Sequence, residues 1–341
     1  RKNIRGLKPY SSARDEYSGE IGVFLDANEN SFGSIPEGKL NRYPDPHHGA
    51  IKNKLSKIKN INQEQIFLGN GSDEAIDILI RAFCEPGKDS ILIMPPTYGM
   101  YQVAADINDV AIKKVPLTRE FQIDTQNVLR EIDESTKLMF LCSPNNPSGN
   151  LLSILEIEKL LNSFNGIVVI DEAYSDFSNE DSWINSLNQY NNLVVLQTFS
   201  KAWGLANIRV GMAFGNEEII TVLNKIKYPY NINGVSQNLI LRALDNVDQK
   251  DNIVSEIISE RKILLEKLEK LPTVEKIFNS DANFLLVKMT DANSIYNYLL
   301  EQNIIIRNRS NMVNCEECLR ITVGTKEENN KLIDILSKYG E

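Results

Sequence analysis

Two short stretches carry the residue types that could do covalent chemistry. Gly166–Tyr174 reads G-I-V-V-I-D-E-A-Y, and Asn192–Gly211 reads N-L-V-V-L-Q-T-F-S-K-A-W-G-L-A-N-I-R-V-G. Asp171, Glu172 and Tyr174 follow the first apolar run, while Thr198, Ser200 and Lys201 follow the second. Arg209 comes eight residues after Lys201. A lysine amine at a strand end can condense with an aldehyde to form a Schiff base. Either run alone is more often an ordinary packed strand with solvated ends; together, in this order, they bring a carboxylate, a phenol, two hydroxyls and a guanidinium to that amine.

This set suits pyridoxal 5′-phosphate, whose ring nitrogen needs an acidic partner if the ring is to accept electrons. Asp171 fits that place, Tyr174 could hydrogen-bond the ring 3′-oxygen, and Thr198, Ser200 and Arg209 could hold the phosphate through hydroxyl and guanidinium contacts.

The elements that must position these residues follow from the pattern. Ile167–Ile170 and Leu193–Leu196 are short, β-branched and bounded by Asn and Gly, which predicts buried strands. Open parallel α/β sheets bind ligands at the carboxyl ends of their strands, where the polar residues lie. Further strands are expected at Ile66–Leu68, Ile91–Met94 and Leu138–Cys142. After the first of these, Gly69-Asn70-Gly71-Ser72-Asp73-Glu74 opens a helix running to about Cys84, with Ser72 or Asp73 as its N-cap. A glycine turn leading into a helix N-terminus is an anion site, so Gly71, Ser72 and Asp73 are candidates for the cofactor phosphate. Tyr98, after the second strand, either stacks on a flat heterocycle or packs in the core. A short strand is also expected within Val23–Asn30.

Beyond Val235 the chain alternates α and β with fewer strands. Helices are predicted at Val235–Ala243, Ile253–Leu271, Ala292–Gln302 and Lys326–Tyr339, with strands at Phe284–Lys288, Ile304–Ile306 and Leu319–Val323. That pattern is consistent with a smaller α+β domain. Arg307 and Arg309 follow one of these strands, and Arg320 lies inside another, in an apolar run where a guanidinium calls for an anion.

The same residues carry a resemblance. D-E-A-Y, then T-F-S-K-A with Arg209 beyond, and S-P-N-N-P-S-G at Ser143–Gly149 resemble the fold-type I aminotransferases. Further blocks resemble the histidinol-phosphate aminotransferases: L-K-P-Y (Leu7–Tyr10), N-E-N (Asn28–Asn30), N-R-Y-P (Asn41–Pro44), G-N-G-S-D-E (Gly69–Glu74), R-A-F-C-E-P-G-K (Arg81–Lys88), P-P-T-Y-G-M-Y (Pro95–Tyr101), P-Y-N (Pro229–Asn231) and L-R-I-T-V-G-T (Leu319–Thr325). They span nearly the whole chain in family order.

The resemblance implies an α/β fold-type I transferase dependent on pyridoxal phosphate. Its large domain has a mostly parallel central sheet flanked by helices, beside a smaller α+β domain. The expected division is 1–39 as N-terminal arm and part of the small domain, 40–234 as the cofactor domain and 235–341 as the C-terminal small domain. The resemblance implies transamination of L-histidinol phosphate with 2-oxoglutarate in a homodimer with shared sites. Lys201 would carry the cofactor, Asp171 and Tyr174 would serve its ring, Tyr98 would cover it, and Asn146 would contact the 3′-oxygen. Tyr10, Asn146, Arg307 and Arg320 would bind substrate. Tyr43, on a loop held extended by Pro44 and Pro46, would reach the cofactor phosphate of the neighbouring subunit, although a Tyr packed on its own loop accounts for it equally well. One departure is Asn207, where the family usually has Gly; Asn tolerates left-handed backbone, so the turn is expected to survive.

Composition bounds these readings. The 341 residues suffice for about two domains, and 42% apolar content allows a sizeable core. A net charge of −9 gives no electrostatic footprint for nucleic acid. No apolar run reaches the ~18 residues of a membrane span, and Arg1–Tyr10 lacks a signal peptide's apolar centre. The sequence opens on Arg rather than Met, so a few further native residues are expected before it. Cys84 and Cys142 sit in apolar or helical patterns as buried thiols, and Cys315-Glu-Glu-Cys318 lacks the second ligand pair a zinc site usually needs, so no metal is expected. This cysteine usage fits a reducing, cytoplasmic setting. The rival functions are a threonine-phosphate decarboxylase, an aromatic amino-acid aminotransferase and, from a different class, a non-catalytic cofactor-binding protein.

Overall fold

In the computed structural model, which describes residues 1–8, 22–36, 38 and 40–340, the apolar runs form the middle of a seven-stranded sheet. In chain order its elements, with the helices between, are α1 (Lys2–Arg5), α2 (Gly49–Lys59), β1 (Ile66–Asn70), α3 (Gly71–Phe83), β2 (Ser90–Ile93), α4 (Met100–Ile107), β3 (Ala111–Lys114), α5 (Thr125–Glu131), β4 (Thr136–Cys142), α6 (Ile154–Ser163), β5 (Ile167–Asp171), β6 (Leu193–Thr198), β7 (Val210–Gly215) and α7 (Glu217–Ile226). The strand order is β1-β7-β6-β5-β4-β2-β3. β3, β2, β4, β5 and β6 pair in parallel, while β7 pairs antiparallel with both β6 and β1.

Side chains alternate across a strand, so a run buried on both faces reads as continuously apolar. Val168, Ile170, Leu193 and Val195 pack on one face, and Ile167, Val169, Val194 and Leu196 on the other. α3, α4 and α7 cover that second face, supplying Ile76, Leu79, Ile80, Tyr101, Ile220 and Leu223 to its core.

The chain continues through α8 (Gly234–Leu244), α9 (Val247–Leu268), β8 (Val274–Ile277), β9 (Phe284–Met289), α10 (Ala292–Glu301), β10 (Arg307–Asn308), β11 (Cys318–Thr322) and α11 (Lys326–Leu336). The four strands make an antiparallel sheet in the order β10-β11-β9-β8, with a core of its own around Leu264, Leu285, Ile295, Ile321 and Leu332. A small cluster joins the sheets: Tyr174, Phe177 and Ala202 pack with Val254, Ala282 and Phe284.

Several expectations differ from the structure. Val23–Asn30 forms no strand; Val23 and Leu25 are exposed, and no strand among the described residues pairs with them. The strand expected at Ile304–Ile306 begins instead at Arg307, where pairing with β11 starts. α3 begins at Gly71, so Asn70 is its N-cap residue rather than Ser72 or Asp73. β3, β7 and β8 were not anticipated. β3 and β8 are short, half-exposed edge strands, and β7 is rich in Gly and Ala. All four cysteines are buried free thiols. No helix among the described residues is long and apolar enough to cross a membrane.

Candidate active site

Register brings the strand ends into line. Cys142 pairs with Asp171, Asp171 with Leu196, Thr198 with Gly211, and Val210 with Asn70. The cavity at that edge is lined by Gly71, Ser72, Asp73, Tyr98, Asn146, Asp171, Tyr174, Thr198, Ser200, Lys201 and Arg209, with Cys142 and Ala173. Residues from six separate segments thus meet because one sheet edge gathers them.

Asp171 closes β5 at 2% exposure. Its Oδ2 accepts a hydrogen bond from the Tyr101 hydroxyl at 2.7 Å and its Oδ1 accepts from the Ala173 N–H at 3.1 Å. Burial pushes its carboxyl up to about 6, against the pull of those two donors and of Lys201. Glu172, one residue on, accepts from Ser182 Oγ, the Trp183 N–H and Gln197 Nε2 at 2.5, 2.7 and 2.9 Å. Glu172 therefore fastens the 182–183 turn, and of these two carboxylates it is Asp171 that lines the cavity.

Lys201 stands just past β6. Phe199 and Ala202 are buried on either side of it, which leaves the lysine directed at the cleft. Its Nζ lies 5.5 Å from the centroid of the Tyr174 ring. Burial, and then the charge of Arg320, lower its pKa, opposed by Asp171. A lysine so placed yields its proton more readily than one in water.

The far end of the cavity is a cradle of backbone. Gly71 has φ +72°, a left-handed conformation natural to glycine, and its N–H donates to the Arg209 carbonyl at 2.8 Å. A Cβ on Gly211 would stand 2.2 Å from the Ser72 nitrogen, so β7 and the start of α3 are in backbone contact. No side chain caps α3, and its N-terminus is turned to the cavity. Arg209 Nη2 lies 3.2 Å from Asp73 Oδ2. Ser200 Oγ is buried without a hydrogen-bond partner among the described residues. An uncapped helix N-terminus, a guanidinium and an orphaned hydroxyl fit a phosphate. Asn207 takes no left-handed backbone: it lies in the single turn Ala206–Ile208, and the left-handed residue is Arg209, with φ 54°. Tolerance of left-handed backbone by Asn therefore plays no part at position 207.

The remaining cavity-lining candidates are Tyr98, Asn146 and Tyr174. The Tyr98 hydroxyl donates to Asp73 Oδ1 at 3.0 Å, and its pKa is raised by burial and by that carboxylate. Asn146 Nδ2 approaches the Tyr174 hydroxyl at 3.4 Å, and the Tyr174 ring meets Phe284 edge-on at 5.1 Å.

The candidate substrate residues separate. Arg320, on β11, donates to Asn146 Oδ1 at 2.5 Å and lies 5.2 Å from the Phe284 ring centroid. Arg307 is its register partner on β10 but is exposed; Arg320 reaches the cavity only through Asn146, and neither arginine is among the lining residues. Arg309 is half-buried, and the Nε atoms of Arg309 and Arg320 are buried without acceptors among the described residues. Tyr43 is 52% exposed and stacks on Tyr230 at 4.6 Å, outside the cavity lining. Tyr10 lies outside the described residues.

The sequence reading passed over Tyr101. Its signal was its place just after Tyr98, in the first turn of the helix that follows the second strand.

Comparison with known proteins bears on this site. Residues 23–336 match the family described as Aminotransferase class I and II. A relative from Cytophaga hutchinsonii named histidinol-phosphate aminotransferase is 55% identical over 339 residues, which is 99% of this chain and 97% of that protein. The crystal structure of the histidinol-phosphate aminotransferase from Clostridium acetobutylicum superposes with a TM-score of 0.81 at 25% identity, covering 87% of this chain and 90% of that one. The enzyme of the same name from Sinorhizobium meliloti, solved in complex with pyridoxal-5′-phosphate, shares the fold with a TM-score of 0.81 at 21% identity, over 98% and 95% of the two chains. This chain belongs to the histidinol-phosphate aminotransferases, within the class I and II aminotransferase family.

Proposed function

We propose that this protein is a pyridoxal 5′-phosphate-dependent transaminase that moves the amino group of L-histidinol phosphate to 2-oxoglutarate, giving imidazole-acetol phosphate and L-glutamate in histidine biosynthesis. One observation carries this reading: Lys201 and Asp171 line one cleft together with the uncapped N-terminus of α3, in a chain 55% identical to a protein of that name.

When bound, the cofactor supplies an aldehyde that condenses with amines and a ring that takes up a carbanion's electron pair. The chain's residues do the rest. Gly71, Ser72, Thr198, Ser200 and Arg209 hold the phosphate, with Asp73 fixing Arg209 and Tyr98. Asp171 keeps a proton on the ring nitrogen. Tyr174 and Asn146 share the 3′-oxygen, and Tyr98 covers the ring. Lys201 Nζ, its pKa lowered, would take the proton from the donor's Cα in the first half-reaction and return one to the Cα that becomes glutamate's in the second. Arg320 and Arg307, with Tyr10 from the arm, bind the anionic end of the substrate. A guanidinium fork accepts phosphate and carboxylate alike, so one pocket serves both half-reactions.

The division into 1–39, 40–234 and 235–341 belongs to this reading, as do a cytoplasmic setting and a homodimer. Tyr43 then serves the neighbouring subunit. Mixed dimers of Lys201→Ala and Tyr43→Ala subunits should regain part of the activity both parents lack, since one site per hybrid has both residues intact. No recovery in proven hybrids would place Tyr43 in its own subunit.

The reading as a whole is tested by incubating the protein with L-histidinol phosphate and 2-oxoglutarate and measuring glutamate. Carbon dioxide release from L-threonine phosphate, with no glutamate formed, would favour the decarboxylase.

A further inference from the structure

α4 carries a tyrosine that none of the roles above uses. Tyr101 is 0% exposed, with its ring stacked on Phe140 at 4.8 Å and Tyr98 edge-on at 5.6 Å. A hydroxyl enclosed by apolar neighbours needs one polar partner. This one donates to Asp171 Oδ2 at 2.7 Å. Burial and that carboxylate hold the phenol proton on, well above the ordinary range, so Tyr101 remains a donor across the working pH.

We propose that Tyr101 is a positioning residue whose hydroxyl, together with the Ala173 N–H, fixes the plane of the Asp171 carboxylate and keeps it ionised toward the cleft. The proposal rests on Asp171 being the partner of the cofactor's ring nitrogen. Hydrogen bonds to a carboxylate favour its charged form. The other groups facing Asp171 act through space. Asp73 at the start of α3 disfavours its charge, and Lys201 after β6 favours it. Cys142 at the end of β4, Tyr98 before α4 and Tyr174 after β5 face it as a neutral thiol and two neutral phenols. With burial already pushing the carboxyl up to about 6, loss of the tyrosine donor carries its ionisation into the neutral range. A protonated Asp171 can no longer accept the ring N–H, and an untethered one can turn away from it.

The test reads Asp171 directly. Apoprotein labelled with [γ-13C]aspartate is titrated by NMR, and the Asp171 signal is assigned by its absence in Asp171→Asn. Tyr101→Phe keeps the ring and removes the donor, and should raise the Asp171 pKa by about one unit. 3-Fluorotyrosine at position 101, a stronger donor of nearly the same shape, should lower it. Phe140→Leu loosens the same packing and keeps the hydroxyl, and should leave it in place. With cofactor bound, the acid limb of the kcat–pH profile should move up in Tyr101→Phe alone. An Asp171 that titrates alike in all four proteins, or moves as far in Phe140→Leu, overturns the proposal. A protein that takes up no pyridoxal phosphate while its Asp171 still shifts would overturn the cofactor reading and leave the positioning role standing.

Discussion

Asp171 and Arg307 are the two ends of one proposed site, and the molecule treats them in opposite ways. Asp171 ends a central strand at 2% exposure with both carboxylate oxygens taken by neighbours. Arg307 stands exposed on a two-residue strand at the edge of the small sheet. Along the carboxyl edge of the large sheet, polar groups hold one another: Tyr101 holds Asp171, Asp73 holds Arg209 and Tyr98, and Thr198 accepts from the Ser200 N–H. On the small sheet, the Nε atoms of Arg309 and Arg320 are buried without an acceptor among the described residues. The difference teaches a division of labour. On the proposed assignment, the groups at the reacting bond are pre-set by sheet register, whereas Arg320, assigned to the substrate, keeps a buried donor without an acceptor among the described residues. The first kind should fail abruptly on substitution and the second in proportion to the charge removed.

The largest effect should come from Lys201. Lys201→Ala should still bind the cofactor through the cradle, yet lose at least about 10²–10⁴-fold in kcat, the usual worth of a positioned proton-transfer group. Borohydride reduction of the holoprotein followed by peptide mapping should place the cofactor on Lys201. A label on another lysine would break the comparison at its root.

Asp171→Asn comes next, and sharpens the comparison by separating function from stability. Most activity should go, because an amide cannot hold the ring proton. The apoprotein should nevertheless become more stable at pH 7.5. The folded carboxyl sits at about 6 against 3.8 in the unfolded chain. The folded form therefore holds its proton more tightly, and stability falls as pH rises between those values. Two units correspond to at most about 3 kcal/mol, reduced by whatever the amide loses as an acceptor. Thermal melts of the two apoproteins should diverge above pH 6 and converge near pH 4. Equal melting temperatures at pH 7.5 would mean that Asp171 is not strained by its burial.

How much of this was legible follows the same division. Ile167–Asp171 and Leu193–Thr198 could be read because a two-face-buried strand is apolar until it ends, so its first polar residues announce the edge. Beyond Val235 the four helices were legible from their periodicity. β7 was not: Val210–Gly215 is short on bulky side chains, and what makes it a strand is β6 and β1 on either side. Nor could the sequence place Tyr101, since an aromatic residue in an apolar helix reads as core, which it is; only the fold shows which polar atom its hydroxyl meets. Arg309 was noticed only as a neighbour of Arg307, and its burial depends on the β10–β11 turn.

Arg320 and Arg307 should give the smallest effects and test the second half of the comparison. Arg320 holds Asn146, which lines the cavity, so on the proposed assignment Arg320→Ala should weaken both L-histidinol phosphate and glutamate. Losing one charge-assisted hydrogen bond costs ~1.5–3 kcal/mol, or about one to two decades in kcat/KM. Arg307 is exposed and in water-screened surroundings, so Arg307→Ala should cost no more than about one decade, and should fall harder on the phosphate donor than on glutamate. A phosphate monoester offers more charge and more acceptor atoms than a carboxylate, and so leans more on a second guanidinium. Unphosphorylated L-histidinol should be a poor donor for the wild type and lose little further in Arg307→Ala. The measurement is kcat/KM for the three donors across the three proteins. Were histidinol and its phosphate to react alike in the wild type, the small sheet would not read phosphate. The aromatic aminotransferase reading would then replace the one proposed.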